Sequence, residues 1–348
     1  MLKGGARLVL ASHLGRPKKG PSPELSLKPV AERLAQLIGR PVPLAPDCVG
    51  PAVKAMADGL PAGGLMLLEN VRFHPEEEKN DDAFAARLIA DTGCTVFVND
   101  AFGAAHRAHA STEGVSRHVK TSVAGLLMER ELRYLGMALE APERPFVAVL
   151  GGAKVSDKIQ VIESLLPRVD ALLVGGGMAY TFFRAQGLST GKSLVEEDRV
   201  AMAKELLAKA EGKIHLPTDH VVAAAFKEDA EHRTAAVAEI PEGWMGLDIG
   251  PATRAAFGEQ VRKAKIAFWN GPMGVFEMKP FAEGTLALAR ALADCQGTTI
   301  VGGGDSVAAV TQMGVADRID HVSTGGGASL EFLSGETLPG VACLKEAA

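Results

Sequence analysis

Short apolar runs alternate along this chain with longer segments whose apolar residues recur every three to four positions. A short apolar run bounded by turn formers reads as a buried strand, and the 3.6-residue recurrence reads as a helix. Residues 8–11 form the first run, and residues 29–38 form the first helical pattern, stopped by Gly39. Residues 65–68 and 95–98 read as strands, and residues 129–139 as an amphipathic helix with Leu132, Leu135 and Leu139 on one stripe. A second series of strands follows at 146–150, 171–174, 214–216, 266–269, 298–301 and 320–323. Strand, then turn residues, then helix is the order expected of βα units in a parallel sheet. The pattern predicts an α/β fold in which residues 129–145 connect two domains. No short sequence repeat accompanies it.

Length supports that division, since 348 residues exceed the usual size of one domain. A net charge of −5 argues against a general nucleic-acid binder. No apolar run reaches the ~20 residues of a membrane span, and the N-terminus lacks a signal-peptide pattern. Cys48, Cys94, Cys295 and Cys343 are far apart and form no C-x-x-C pair. Reduced thiols in a cytoplasmic protein with no membrane or nucleic-acid partner are therefore expected.

The 39 glycines change the picture because they cluster at strand ends. The runs are Gly151-Gly152, Gly175-Gly176-Gly177, Gly302-Gly303-Gly304 and Gly325-Gly326-Gly327. Glycine lets a ligand approach the backbone, and a helix beginning there offers free N–H groups to an anion. In open α/β sheets, ligands bind at the carboxyl ends of the strands. The pattern is not the dinucleotide fingerprint, because Val307 stands where its third glycine belongs. Nor is the segment 187–193 a phosphate-binding P-loop: its glycines are one residue too close, and it follows a helix pattern. It reads as a connection.

Charged groups stand beside these glycines. Lys154 and Lys158, four apart, are expected on one face of a helix opening after Gly152, where they would repel unless they met phosphate oxygens. Asp305 and Ser306 follow Gly304, and a carboxylate there suits Mg2+ held jointly with phosphates. Glu277 is a candidate acceptor for a ribose hydroxyl. In the first half, three strand ends each offer an arginine: Arg16 in His13-Leu14-Gly15-Arg16, Arg72 before His74, and Arg107 between His106 and His109. Arginine forks around phosphate and carboxylate, so this half reads as the site of a small, multiply charged anion. No nucleophile–base pair or metal-ligand cluster stands out. An anion-binding half and a nucleotide-binding half suit a kinase that closes over its substrates and excludes water.

As an ordered set, residues 13–17, 67–74, 99–111, 151–159, 175–181, 246–251, 269–277, 303–306 and 323–329 resemble the motifs of the phosphoglycerate kinase family. The resemblance implies two Rossmann-like lobes, each a parallel sheet flanked by helices and joined by a helix. The lobes would be 1–128 for phosphoglycerate and 146–330 for nucleotide, with 331–348 returning toward the first. It implies a monomeric glycolytic enzyme moving phosphate between ATP/ADP and 3-phosphoglycerate/1,3-bisphosphoglycerate, with Mg2+. His13, Leu14, Gly15, Arg16, Arg72 and Arg107 would hold phosphoglycerate. Lys154 and Gly325–Gly327 would serve the transferring group. Lys158, Gly175–Gly177, Leu247, Asn270, Glu277, Gly303, Gly304, Asp305 and Ser306 would hold the nucleotide, Asp305 also reaching the metal.

The family begins with a strand carrying Asp-x-Asn-x-Pro and then a further Arg, and neither occurs in this chain. Residues 2–7 resemble the end of the family's first long helix instead. This predicts an incomplete N-terminal lobe, from a misassigned start or from a chain that is truly short. In the latter case a catalytically impaired, nucleotide-binding protein is the alternative. An NAD-dependent oxidoreductase is disfavoured by the failed fingerprint.

Overall fold

A computed structural model describes residues 1–17, 20–140 and 142–345. Ala141, inside the expected connection, and residues 346–348 of the expected returning segment lie outside the described residues. The chain divides into two compact units: Met1–Glu129 with the segment from Thr337, and Arg130–Glu336.

In the first unit, β1 (Leu8–Leu10) pairs parallel with β2 (Leu65–Leu67), and Leu44 also bridges Leu67. A second parallel pair joins β3 (Val96–Asn99) to β4 (Thr121–Ala124). Its helices are α1 (Lys28–Ile38), α2 (Pro51–Asp58) and α3 (Asp82–Thr92), while α4 (Leu126–Met137) starts in this unit and belongs to the second from Arg130 onward. Proline in the first turn starts α1, and Gly39 at φ 66° stops it, as the punctuation implied. For α3, the Asp81 carboxylate accepts the Phe84 N–H at 2.8 Å and caps the helix. Met66, Val53, Phe84 and Leu88 belong to the core that the helices close.

The α4 helix begins three residues before the 129 expected from its pattern. Asp100, at the end of β3, explains this by accepting the N–H groups of Leu127 (2.8 Å) and Met128 (3.0 Å). A cap donated from far along the chain is invisible to periodicity.

The second unit is built on β5 (Phe146–Leu150), β6 (Ala171–Val174) and β7 (Ile214–His215). An antiparallel group follows in β8 (Asp219–Ala223), β9 (His232–Ala236) and β10 (Met245–Ile249). Next come β11 (Ile266–Asn270), β12 (Thr298–Gly302) and β13 (His321–Val322). Its helices are α5 (Ile159–Leu165), α6 (Ala179–Ala185), α7 (Val200–Lys209), α8 (Pro251–Lys263), α9 (Glu283–Ala293), α10 (Gly304–Gln312) and α11 (Gly327–Leu333). Every residue of β5, β6 and β11 is buried, which a parallel sheet covered on both faces requires. Strand order β13-β12-β11-β5-β6-β7 is the doubly wound arrangement, and its direction reverses between β5 and β11. A separate antiparallel sheet in the order β10-β8-β9 was not expected from the sequence. Finally α12 (Pro339–Ala342) joins the first unit: Gly340 N–H donates to Ala105 O, and Asn99 Nδ2 to Gly340 O, both at 2.8 Å.

Candidate functional site

At the reversal point, β5 and β11 end side by side in backbone with almost no side chain between. Gly151 N–H donates to Asn270 O and Gly152 N–H to Pro272 O, both at 2.9 Å. Gly176, at φ 66°, fits against them: a Cβ added there would lie 2.6 Å from Gly152 O and 2.7 Å from Gly152 N. Only glycine allows the ends of β5, β6 and β11 to interlock this closely.

Beside this junction lies a cavity of about 590 Å³. Among the residues marked in the sequence, Gly152, Gly176, Gly177, Leu247, Glu277 and Asp305 line it. Lys158, Asn270 and Ser306 stand at the same strand ends. Lys158 Nζ donates to Asn270 Oδ1, and Gly271 N–H donates to Ser306 Oγ at 2.7 Å. Burial lowers the Lys158 pKa below the usual lysine range, against the opposing pull of Asp157 and Asp305. Gly303, at φ 85°, packs on the Asn270 amide, where an added Cβ would meet Nδ2 at 3.0 Å. Gly304 and Asp305, both exposed, open α10. Gly175 packs on Met273.

One expectation needs correction. Lys154 and Lys158 do not share a helical face: α5 begins at Ile159, and Lys154 lies in the loop before it. Glu196 imposes that loop by accepting Ser156 N–H (3.0 Å) and Oγ–H (2.6 Å), which ties the backbone away from helix. Burial raises the pKa of Glu196, but the Ser156 donors and the nearby charge of Lys154 outweigh it and leave it low. Gly325–Gly327 do not line the cavity among the described residues. They start α11 after Ser323 and Thr324, with Gly326 at φ 53° and open space around it.

Sequence reasoning missed Lys192, Leu194, His220, Phe226 and Met245, which also line the cavity, and gave no role to Tyr180, a lining residue within the 175–181 motif. Residues 187–193 do follow a helix, α6, and pack on the start of β10: Lys192 N–H donates to Trp244 O at 2.7 Å. The clue lay in that loop's own Lys192, set aside with the rejected motif; Leu194 follows the segment directly.

The first unit gathers cations at its strand ends. Arg72 Nη1 donates to Gly15 O at 3.2 Å, and Asn70 Nδ2 holds the same loop through Leu14 O at 2.8 Å. Desolvation, then Arg72, then His109 lower the pKa of His13. For His109, desolvation leads and Arg72, Arg107 and His106 also lower the pKa, so these groups share one field. Arg16 and Arg107 are exposed. Among the described residues Arg72 Nε has no hydrogen-bond partner, and Glu78 stands 3.7 Å from it. The fold also gathers Asp47, Cys48 and His74, a cluster the sequence did not suggest. The His74 Nε2–Asp47 contact of 2.7 Å closes it, and burial pushes the Cys48 thiol up.

Reversed strand order, interlocked glycines and a cavity at the carboxyl ends of the strands define a nucleotide-binding α/β protein. The family model for phosphoglycerate kinase matches residues 1–336. A phosphoglycerate kinase of Solibacter usitatus is 61% identical over 344 residues, covering 99% of this chain and 86% of that protein. The cytosolic phosphoglycerate kinase of Triticum aestivum is 56% identical, covering 100% of this chain and 87% of that one. The solved phosphoglycerate kinase of Coxiella burnetii superposes with a TM-score of 0.89 at 42% identity, covering 98% of this chain and 87% of that structure. The chain belongs to the phosphoglycerate kinase family.

Proposed function

We propose that the chain acts as a phosphoglycerate kinase, moving a phosphoryl group reversibly between ATP and the carboxylate of 3-phosphoglycerate to give ADP and 1,3-bisphosphoglycerate. The observation that carries this reading is the glycine-walled cavity where the sheet of the second unit reverses. The cluster of His13, Arg72 and His109 in the first unit supports an anionic acceptor.

The nucleotide lies with its base near Leu247, its ribose at Glu277 and its phosphates at Gly303–Ser306 and Lys158. Asp305 offers an exposed carboxylate at the cavity, a hard oxygen donor of the kind Mg2+ takes together with phosphate oxygens. When bound, Mg2+ neutralises phosphate charge. His13, Leu14, Gly15, Arg16, Arg72 and Arg107 hold phosphoglycerate. The acceptor carboxylate is already ionised at neutral pH, since carboxyl pKa values lie near ~4, so no general base is needed. Catalysis then consists of positioning two polyanions and neutralising their repulsion. Lys154, in an exposed loop, meets the moving group; in the turn Gly325–Gly327 the Gly325 N–H is spent on Ser323 Oγ, and the exposed backbone of Gly326 and Gly327 donates N–H groups to the moving group. The protein works as a cytoplasmic monomer; among the described residues no helix is long and apolar enough to cross a membrane.

A coupled assay for ATP-dependent phosphorylation of 3-phosphoglycerate tests the reading. Lys154→Ala is expected to lower kcat by about 100-fold or more while ADP affinity stays within about threefold. No turnover by the unaltered chain, with normal ADP binding, would reduce it to a nucleotide-binding protein.

A further inference from the structure

The cavity is walled mainly by apolar side chains and bare backbone, and two polar aromatic groups interrupt that wall. Tyr180, from α6, and His220, from β8, meet with the hydroxyl 3.1 Å from His220 Nδ1. Both are almost fully buried, at 3% and 1% exposure. Phe183 packs edge-on to His220 at 5.2 Å and fixes the ring plane. The other ring nitrogen, Nε2, is buried and has no hydrogen-bond partner among the described residues. A buried polar atom without a partner is rare and costly in a finished fold. In a wall of a ligand cavity, the ligand is the natural partner.

Counting hydrogens decides which way that bond runs. Burial holds the His220 pKa down to about 4, against the opposing charge of Asp219, so the ring is neutral at pH 7 and carries one N–H. If that hydrogen sat on Nδ1 and pointed at the tyrosine oxygen, two groups would lack partners among the described residues. These are the hydroxyl hydrogen and the Nε2 lone pair. If the hydroxyl donates to Nδ1, only Nε2–H is left over. The second arrangement leaves one group unsatisfied instead of two.

We infer that Tyr180 and His220 read the nucleobase: Tyr180 fixes the imidazole tautomer, and His220 Nε2–H donates to a ring nitrogen of a purine. The inference deepens, and rests on, the reading of this cavity as the nucleotide site. A purine carries acceptor nitrogens on its edges at N1, N3 and N7, and an apolar pocket alone discriminates weakly between rings of similar shape.

The test compares ADP with its 1-deaza, 3-deaza and 7-deaza analogues by calorimetry. Each analogue replaces one acceptor nitrogen with CH. Against the unaltered protein, one of the three is expected to bind roughly tenfold more weakly than ADP, the fold-change of a single hydrogen bond. In His220→Phe that penalty disappears, and in Tyr180→Phe it shrinks because the tautomer is no longer fixed. Should His220→Phe fail to fold, the Tyr180→Phe comparison carries the test. Equal affinity for all four ligands, or a penalty that persists in His220→Phe, overturns the contact. A second variant, Leu194→Glu, places a charge at the exposed rim of the cavity. Loss of ADP binding there without any deaza penalty removes only the contact. ADP binding that ignores Leu194→Glu places the nucleotide elsewhere, and both readings fall.

Discussion

Glu131 and His321 meet 2.8 Å apart, at 1% and 4% side-chain exposure, although 190 positions separate them. The Glu131 carboxylate also accepts Ser323 Oγ–H and Thr324 N–H at 2.7 Å and Thr324 Oγ1–H at 2.8 Å. Ser323 Oγ in turn accepts Gly325 N–H at 3.1 Å. One carboxylate on α4 therefore holds the turn from which Gly325–Gly327 start.

Removing that carboxylate strands several buried donors at once. Glu131→Ala is expected to cost about 3 kcal/mol or more in urea unfolding, and Glu131→Gln less because it keeps one acceptor oxygen. Burial alone would raise the Glu131 pKa, but the bonds from His321, Ser323 and Thr324 outweigh it and leave it depressed. A depressed carboxyl pKa means stability present above the ordinary value of 4.5 and lost as pH falls through the folded value. Glu131→Gln should lose that part of the acid limb. An acid limb identical to the wild type would show that the carboxylate contributes none of it.

How much of this was legible in the sequence depends on where each partner lies along the chain. Strands β5, β6 and β11 were readable because burial on both faces makes them unbroken apolar runs. The antiparallel sheet was not: β9 is His-Arg-Thr-Ala-Ala and lies mostly exposed, so it carries no apolar alternation. Glycine runs marked the site, but the hydrogen bonds that shape it were hidden. Glu196 on Ser156, Glu131 on Ser323 and Tyr180 on His220 all span at least 40 positions. Local pattern reports propensity, and these long-range bonds override it, as in the loop around Lys154.

Asp248 titrates in the opposite sense. It is buried in β10, where its carboxylate accepts Ile249 N–H at 2.9 Å and Gly284 N–H at 2.7 Å. Burial dominates those bonds and pushes its pKa from 3.8 up to about 7. Below about pH 4 the group is neutral both folded and unfolded, and ionisation above that favours the unfolded chain. Its contribution to stability therefore falls as pH rises toward 7 and levels off beyond. Asp248→Asn should be less stable at pH 5, because its NH2 faces one of the two backbone donors. Its stability relative to the wild type should then recover by a few kcal/mol between pH 5 and 8. A difference that does not change with pH would mean Asp248 is ionised throughout.

Two glycines with similar φ should respond differently to alanine. At Gly176 (φ 66°) the new methyl strikes the backbone of Gly152 and Pro272, which cannot move without opening the strand-end junction. Strain and overpacking together predict a loss of about 3 kcal/mol and a loss of ADP binding. At Gly326 (φ 53°) the methyl enters open space, so only backbone strain of about 1–2 kcal/mol remains. Gly326→Ala should therefore keep ADP binding while kcat falls, since the donated N–H groups shift. Calorimetry and single-turnover rates on both variants separate the outcomes. A Gly326→Ala enzyme with unchanged kcat would remove the glycine turn from the transfer step.

Arg72 is the centre of the cationic field in the first unit. Its Nη1 is spent on Gly15 O, which orients the fork, and its side chain is only 11% exposed. Lysine keeps the charge but loses the planar fork, so Arg72→Lys should weaken 3-phosphoglycerate binding by about tenfold or more. ADP affinity should be unchanged, because among the described residues those lining the cavity belong to the second unit. Removing the charge altogether has a second signature. Desolvation and then Arg72 lower both His13 and His109, so Arg72→Ala should raise both imidazole pKa values in an NMR titration. Arg72→Lys should raise them less, because an ammonium still opposes protonation there. If His13 and His109 titrate alike in all three proteins, Arg72 does not share their field, and an acceptor site built on this cluster falls with it.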